Sequence, residues 1–211
     1  MSVISGARLR ELLDAPLEDR LIVSPILDLE GQVRKDQASI DVRLGFSFAL
    51  VSASSAGAID ELHETLQLGR RLSKLYRIEY VPLGGSLVIH PHQFILAETF
   101  EFIRLPETLA AYVIGRSTWG RLGLIVATAV GIHPGFSGTL TLELRNLGET
   151  PLALYPEQTI AQLFFHDVNP KIKEGRPGQY SGRTELLPRR ISDDYTQKKL
   201  AALKRKFGSA S

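Results

Sequence analysis

From Tyr80 onward the chain is a succession of short β-rich runs. They read "SLVIHPHQFILAETFEFIRL", "AAYVIGR", "GLIVATAVGI", "GTLTLELRNL" and "PLALYPEQTIAQLFFHDV", with Gly, Pro, Asn and Glu-Thr turns between them. Runs of this length and spacing predict a mainly β sandwich or barrel. Upstream, "SIDVRLGFSFAL" (39–50) sets Ile40, Val42 and Leu44 against Asp41 and Arg43, the period-2 alternation of a strand, with Gly45 as a candidate bulge. The turn "NLGET" reads as a hairpin or similar loop.

Helical signals are few. "SGARLRELLD" (5–14) predicts a short helix capped by Ser5, with Leu9, Leu12 and Leu13 on one face. "SASSAGA" (52–58) reads as a loop, and "IDELHETLQLGRRLSKLY" after it as helical or irregular. Beyond Asn169 the composition turns polar, which divides the chain into a β domain (1–169) and a C-terminal arm with a basic tail (170–211). The end, "DDYTQKKLAALKRKF", suits a last helix with acidic residues near its start and lysines near its end.

Composition narrows the chemistry. With 211 residues, 44% of them hydrophobic, the chain can bury one large core. A net charge of +2 gives no field for nucleic acid or a membrane surface. The start, "MSVISGARLRELL", lacks the form of a signal peptide, and no run approaches a membrane span, so a soluble cytoplasmic protein is expected. The chain has no cysteine, which removes disulfides, thiol nucleophiles and thiolate metal sites. A zinc deaminase site, which needs a P-C-x-x-C pair, cannot be built. His90 and His92 in "HPH" could place two imidazoles on one side of a strand, without an evident third ligand.

The informative block is "GRSTWGRLGLIVATAVGIHPGFSGTLTLELRN". Arg116 and Arg121 flank a Ser-Thr pair between Gly115 and Gly120, which suits either a phosphate cradle or a solvated turn. In "TLTLELRN", Glu143 shares a face with Thr139, Thr141 and Arg145. It is a solvated residue if that face is the outside, and a candidate general base if it lines a cleft. In "VGIHPGFSG", His133 stands at a strand end before a Pro-Gly turn.

"SIDVRLG", "GRSTWGRLGL", "GIHPGFSG", "LTLELRN" and "PLALYPEQTIAQLFF" together resemble the dCTP deaminase branch of the trimeric dUTPase superfamily, over roughly residues 3–195. The resemblance implies a distorted β-barrel or jelly-roll with a few short peripheral helices. It also implies a homotrimer with shared active sites, and deamination of dCTP to dUTP and ammonia without zinc. Mg²⁺ would accompany the triphosphate. Glu143 matches the general acid/base, Ser117 and Arg121 the groups that position the attacking water, and the Ala129 carbonyl another water holder. Arg116, Thr118, Trp119 and Gly120 match the phosphate-binding turn, and Thr141 and Leu142 the backbone that reads the base. Gln162 matches a phosphate- or subunit-contacting glutamine, and Tyr180 and Arg183 the closing arm.

The family's pattern has Asp where this chain has His133, at the corner that holds the deoxyribose 3′-hydroxyl, and "RTELLPRR" replaces a glutamine-containing arm segment. On these grounds further cleavage to dUMP ranks below simple deamination, beside a nucleotide-binding regulator with little catalysis. His133→Asp is expected to change nucleotide affinity or sugar preference in binding and turnover assays. Unchanged values would make His133 a plain turn residue.

Overall fold

The computed structural model describes residues 2–51, 75–127 and 131–169, together with Leu186, Lys199, Ala202 and Leu203. These fall in two compact units, Met1–Phe48 with Glu79–Leu186, and Ala49–Ile78 with Leu187–Ser211. The first unit carries nearly all that follows. Of the expected last helix, Lys199, Ala202 and Leu203 are described, and they are helical. The segments at 52–58 and 59–74 lie outside the described residues.

Helix α1 (Gly6–Leu13) starts where Ser5 predicts, and the Ser5 side chain accepts from Arg8 N. It buries Leu9 and Leu12. Strand β1 (Ile22–Ser24) and the one-turn α2 (Leu29–Gln32) precede the long β2 (Ser39–Val51). Then come β3 (Tyr76–Tyr80), β4 (Leu87–Ile89), β5 (Phe94–Arg104), β6 (Leu109–Gly115), α3 (Ser117–Arg121), β7 (Leu124–Val126) and β8 (Gly131–Ile132). Strands β9 (Ser137–Asn146), β10 (Leu152–Leu154) and β11 (Thr159–Asp167) follow; all these elements lie in the first unit except the end of β2 from Ala49 and β3 up to Ile78, which belong to the second.

One sheet runs β7-β9-β5-β2-β11-β6-β8, with β1 added on β5 and β3 on β2; β10 and β4 form a separate pair. The sheet curls into a half-barrel. Although β6 and β7 stand far apart in this order, a methyl group at Gly115 on β6 would lie 3.0 Å from the Val126 side chain on β7. The mainly β expectation therefore holds, as one large curled antiparallel sheet and a separate two-stranded pair. Its core face carries Ile40, Val42, Leu44, Ile95, Ala97, Leu142, Leu144, Leu163 and Phe165, all buried. Along β9 burial alternates residue by residue, as period-2 sterics require.

Two local expectations change, and Gly45 shows a demand the sequence does not. "NLGET" does not close a hairpin, because β10 pairs with β4 rather than β9. Instead the buried Asn146 amide donates to Ile89 O at 3.1 Å and Thr150 O at 2.9 Å, and its Oδ1 accepts from Gly148 N at 2.9 Å. One side chain thus does the work a two-residue turn would have done. "HPH" is a turn between β4 and β5, with His92 at φ 63°, so its imidazoles do not share a strand face. Gly45 lies inside β2 and is required for space: a methyl group there would sit 2.6 Å from Glu98 Cγ on β5.

The other sheet face holds a buried charge pair. Arg43 Nε donates to Glu101 Oε1 at 2.6 Å, and Arg43 N donates to Oε2 at 2.8 Å. Gln32 Nε2 donates to the same Oε1 at 3.2 Å, Arg43 Nη2 reaches Pro25 O at 3.0 Å, and the guanidinium lies 4.7 Å from the Phe100 ring centre. Glu101 is fully buried. Removing one partner of such a pair strands the other charge. Glu101→Ala should therefore lower unfolding free energy by about 3–5 kcal/mol in urea titrations. The double change Arg43→Met with Glu101→Leu should cost less than that single change.

Candidate functional site

The polar face runs across the sheet from β9 to β6. Gln162 on β11 stands opposite Asp41 on β2 and Ile114 on β6. On the other flank, Thr141 and Glu143 of β9 stand opposite Glu98 and Leu96 of β5. Glu98 Oε1 accepts from Ser47 N at 3.2 Å, in the space Gly45 leaves open.

At the β6 margin the Arg116 backbone N–H donates to Ile160 O at 3.2 Å. Its Nη1 donates to Asp41 Oδ2 at 2.9 Å. Gln162 Nε2 donates to Asp41 Oδ1 at 2.9 Å and to Ser39 Oγ at 3.2 Å. Arg116 is also the N-cap of α3. The Trp119 indole N–H donates to Thr159 O at 3.0 Å, which pins this five-residue helix to the start of β11. Ser117, Thr118, Gly120 and Arg121 are exposed on the helix.

The chain then turns at Gly123, whose φ of +93° and close approach to the Gly148 backbone exclude a side chain. It enters β7, which pairs with β9, and Ala127 N donates to Glu143 O at 2.7 Å. The α3 turn and Glu143 are thus joined by one short strand. The Glu143 carboxyl is half-buried, and burial raises its pKa above the usual carboxylate value. Thr141 is half-buried beside it. Leu142 is fully buried, so only its backbone can meet a ligand.

His133 is exposed, and its carbonyl accepts from Phe136 N at 3.2 Å across a turn with Gly135 at φ +76°. Pro at the second position and positive-φ Gly at the third make this a type II turn, the strand-end punctuation the sequence suggests. Ala129, Tyr180 and Arg183 lie outside the described residues. Among the described residues no group of three or more His, Cys, Asp and Glu side chains could hold a metal ion. No helix there is long and apolar enough to cross a membrane.

Sequence reasoning missed Asp41 and Ser39 as parts of this cluster. The available signal was a charged residue in the part of a strand that buries both faces.

A family model described as dCTP deaminase-like matches residues 3–168. A "dCTP deaminase, dUMP-forming" of Methanobrevibacter smithii is 33% identical over 205 residues, covering 94% of this chain and all of that protein. A "dCTP deaminase" of Natronomonas pharaonis is 36% identical over 197 residues, 91% of this chain and 96% of that one. Among solved structures, the 2′-deoxycytidine 5′-triphosphate deaminase of Agrobacterium tumefaciens superposes with a TM-score of 0.58 at 21% identity. That match covers 79% of this chain and 48% of the other, so the chain spans about half the length of that structure.

The raised carboxyl pKa has a consequence for stability. The folded chain holds the Glu143 proton to higher pH than the unfolded chain does, so this residue costs stability as pH rises through that window. Glu143→Gln should leave Tm at pH 7 equal to or above that of the native protein. The difference from the native protein should shift against the variant as the pH falls below the ordinary carboxylate range; a Tm difference that does not change with pH would contradict the burial effect.

Proposed function

The chain belongs to the dCTP deaminase family, and from that membership we propose that it hydrolyses dCTP to a uracil nucleotide and ammonia. The observation that carries the reading is Glu143: a half-buried carboxyl of raised pKa, on a strand face beside Thr141, one short strand from the arginine turn.

Water adds to C4 of the cytosine and the C4–N bond breaks, so that dCTP and water become dUTP and ammonia. Glu143 takes the proton of the attacking water and returns protons to N3 and to the departing amine. A raised pKa suits a group that must both accept and give a proton near neutrality. Ser117 and Arg121 orient the water, with the Ala129 carbonyl. Arg116, Thr118, Trp119 and Gly120 form the phosphate turn, Thr141 and Leu142 meet the base through their backbone, and His133 stands at the sugar corner. Gln162, Tyr180 and Arg183 complete the enclosure.

The cysteine-ligated zinc site of the known zinc nucleoside deaminases has no part in this reading, because the sequence contains no cysteine. Mg²⁺ fits as an ion carried by the triphosphate rather than by a protein cage: the polar cluster offers single carboxylates and an amide, not a set of three acidic or imidazole ligands. A homotrimer with shared sites belongs to the same proposal. It is supported by the exposed apolar strip of β6, where Tyr112 is 42% and Ile114 48% exposed beside Gln162.

A second reading carries the product on to dUMP by water attack on the α-phosphate with loss of pyrophosphate. His133 placed it lower on the sequence alone, but the Methanobrevibacter smithii relative, matched over its whole length, is named for that product. The two therefore stand level. Incubation with dCTP and Mg²⁺, following ammonia and separating the nucleotides, decides between them. Ammonia with dUTP supports the first, ammonia with dUMP and pyrophosphate the second, and no ammonia overturns both. Glu143→Gln should lower kcat about 10²–10⁴-fold, the range of a lost general acid/base. In the native enzyme kcat/KM should rise with pH through the raised Glu143 pKa.

A further inference from the structure

We propose that Asp41 is a positioning residue of the nucleotide site: one carboxylate oxygen holds the Arg116 guanidinium, and the other fixes which end of the Gln162 amide faces the ligand. The inference rests on the nucleotide-binding reading above and goes beyond it, since no role for Asp41 follows from that reading.

Hydrogen-bond accounting gives the first argument. A carboxylate only accepts. Asp41 Oδ1 lies 2.9 Å from the Gln162 amide, so the amide nitrogen must face it. The second N–H of that nitrogen goes to Ser39 Oγ at 3.2 Å. Gln162 Nε2 has then spent both hydrogens inside the protein, and what the residue offers outward is its carbonyl oxygen. A carbonyl repels phosphate oxygens and accepts from a water or hydroxyl. Gln162 is therefore set to meet the hydration around a triphosphate, or a hydroxyl group, rather than a phosphate oxygen itself.

The second argument is rigidity. Asp41 sits near the start of β2 with a side chain 10% exposed, whereas the Arg116 side chain is 32% exposed. Gln32 Nε2 lies 3.4 Å from Asp41 O, and two residues on Arg43 is locked to Glu101. The carboxylate is thus the fixed end of the pair and the arginine the adjustable one. With Nη1 tied to Asp41 and its backbone N–H to Ile160 O, Arg116 is held at two points before any ligand arrives. A fork oriented in advance loses less side-chain entropy on binding a phosphate. Asp41 also offsets the arginine charge, so its removal trades orientation for a bare cation, and the sign of the net effect is measurable.

The test uses inorganic tripolyphosphate and dCTP as probes, with the fluorescence of Trp119 as the reporter. It is the one tryptophan of the chain and lies on the turn that Arg116 caps. Asp41→Ala should weaken tripolyphosphate binding at least tenfold, and its loss on dCTP should fall on KM more than on kcat. Arg116→Ala should cost less than half as much, on a logarithmic scale, in the Asp41→Ala background as in the native one. Asp41→Asn keeps an accepting oxygen for Arg116 but turns the Gln162 amide round, and should fall between native and Ala. Should Asp41→Ala fail to fold, the Asn variant and its cycle with Arg116→Ala carry the test.

Unchanged affinity in Asp41→Ala, fully multiplicative losses in the cycle, or an Asn variant as weak as the Ala variant would each overturn the proposal. So would native protein that does not bind tripolyphosphate. Native protein that shows the predicted affinity pattern but releases no ammonia from dCTP would remove the deaminase reading and leave Asp41 in its role.

Discussion

The buried Arg43–Glu101 pair is the constraint on which the polar face depends. The two strands it joins, β2 and β5, lie in the middle of the sheet. A sheet with one wet face could leave its polar residues to water. Here the second face is covered at its centre as well, so every charge placed there must be matched by a partner. Glu101 meets that demand with Arg43 and Gln32 as donors, while Arg43 also reaches the Pro25 carbonyl and the Phe100 ring. Exchange of such a pair for apolar residues is often tolerated for stability, so the pair is better understood as fixing geometry than as adding stability. It sets the position of β2, and hence of Asp41 two residues before Arg43.

From that fixed centre the site residues are laid out by strand register. Asp41 meets Gln162 because β11 pairs directly with β2, and Arg116 reaches Asp41 because it follows the last residue of β6 on the far side of β11. Glu143 is placed by β9, held on both sides by β5 and β7. None of these positions depends on a long loop. The side chains borne on strands are fixed by the sheet. Those on α3, an exposed five-residue helix held through Trp119 and Arg116, have more freedom to adjust. A nucleotide site benefits from both, since the base must be read at fixed distances while the phosphates are flexible.

Much of this was legible in the sequence because alternation is a local property. The two faces of β9 and the start of α1 can be read from neighbouring residues alone. What was not legible depends on partners distant in the chain. "NLGET" has the composition of a hairpin, but whether β10 returns to β9 or crosses to β4 is decided by Asn146 reaching Ile89, 57 residues away. Gly45 reads as a candidate bulge, and the close approach of Glu98 from β5, a separate reason for a glycine there, comes from a strand more than 50 residues on. Asp41 reads as the polar half of an alternating strand until β11 and β6 bring Gln162 and Arg116 to it, more than 70 residues on. The turn at His133 was the reverse case: its geometry was local and legible, but its meaning for the reaction was not.

His133 shows why a single substituted residue is a weak guide to the second reaction. An imidazole has at most one accepting nitrogen where the family pattern has the two acceptor oxygens of a carboxylate, so it cannot hold a sugar hydroxyl and a water together in the same manner. That is an argument against cleavage at the α-phosphate only if the remainder of the site is unchanged. The sequence differs in the expected arm as well, where "RTELLPRR" stands in place of a glutamine-containing segment, and two changes that serve one reaction need not act independently. Deamination makes no such demand on residue 133. It requires a carboxyl that shuttles a proton, a water held in place and a triphosphate anchored at a distance, the tasks proposed above for Glu143 on β9, the α3 turn and the Asp41–Arg116 pair. A relative named as dUMP-forming and one named only as a dCTP deaminase both match nearly the whole chain, at 33% and 36% identity, so overall similarity does not separate the two reactions.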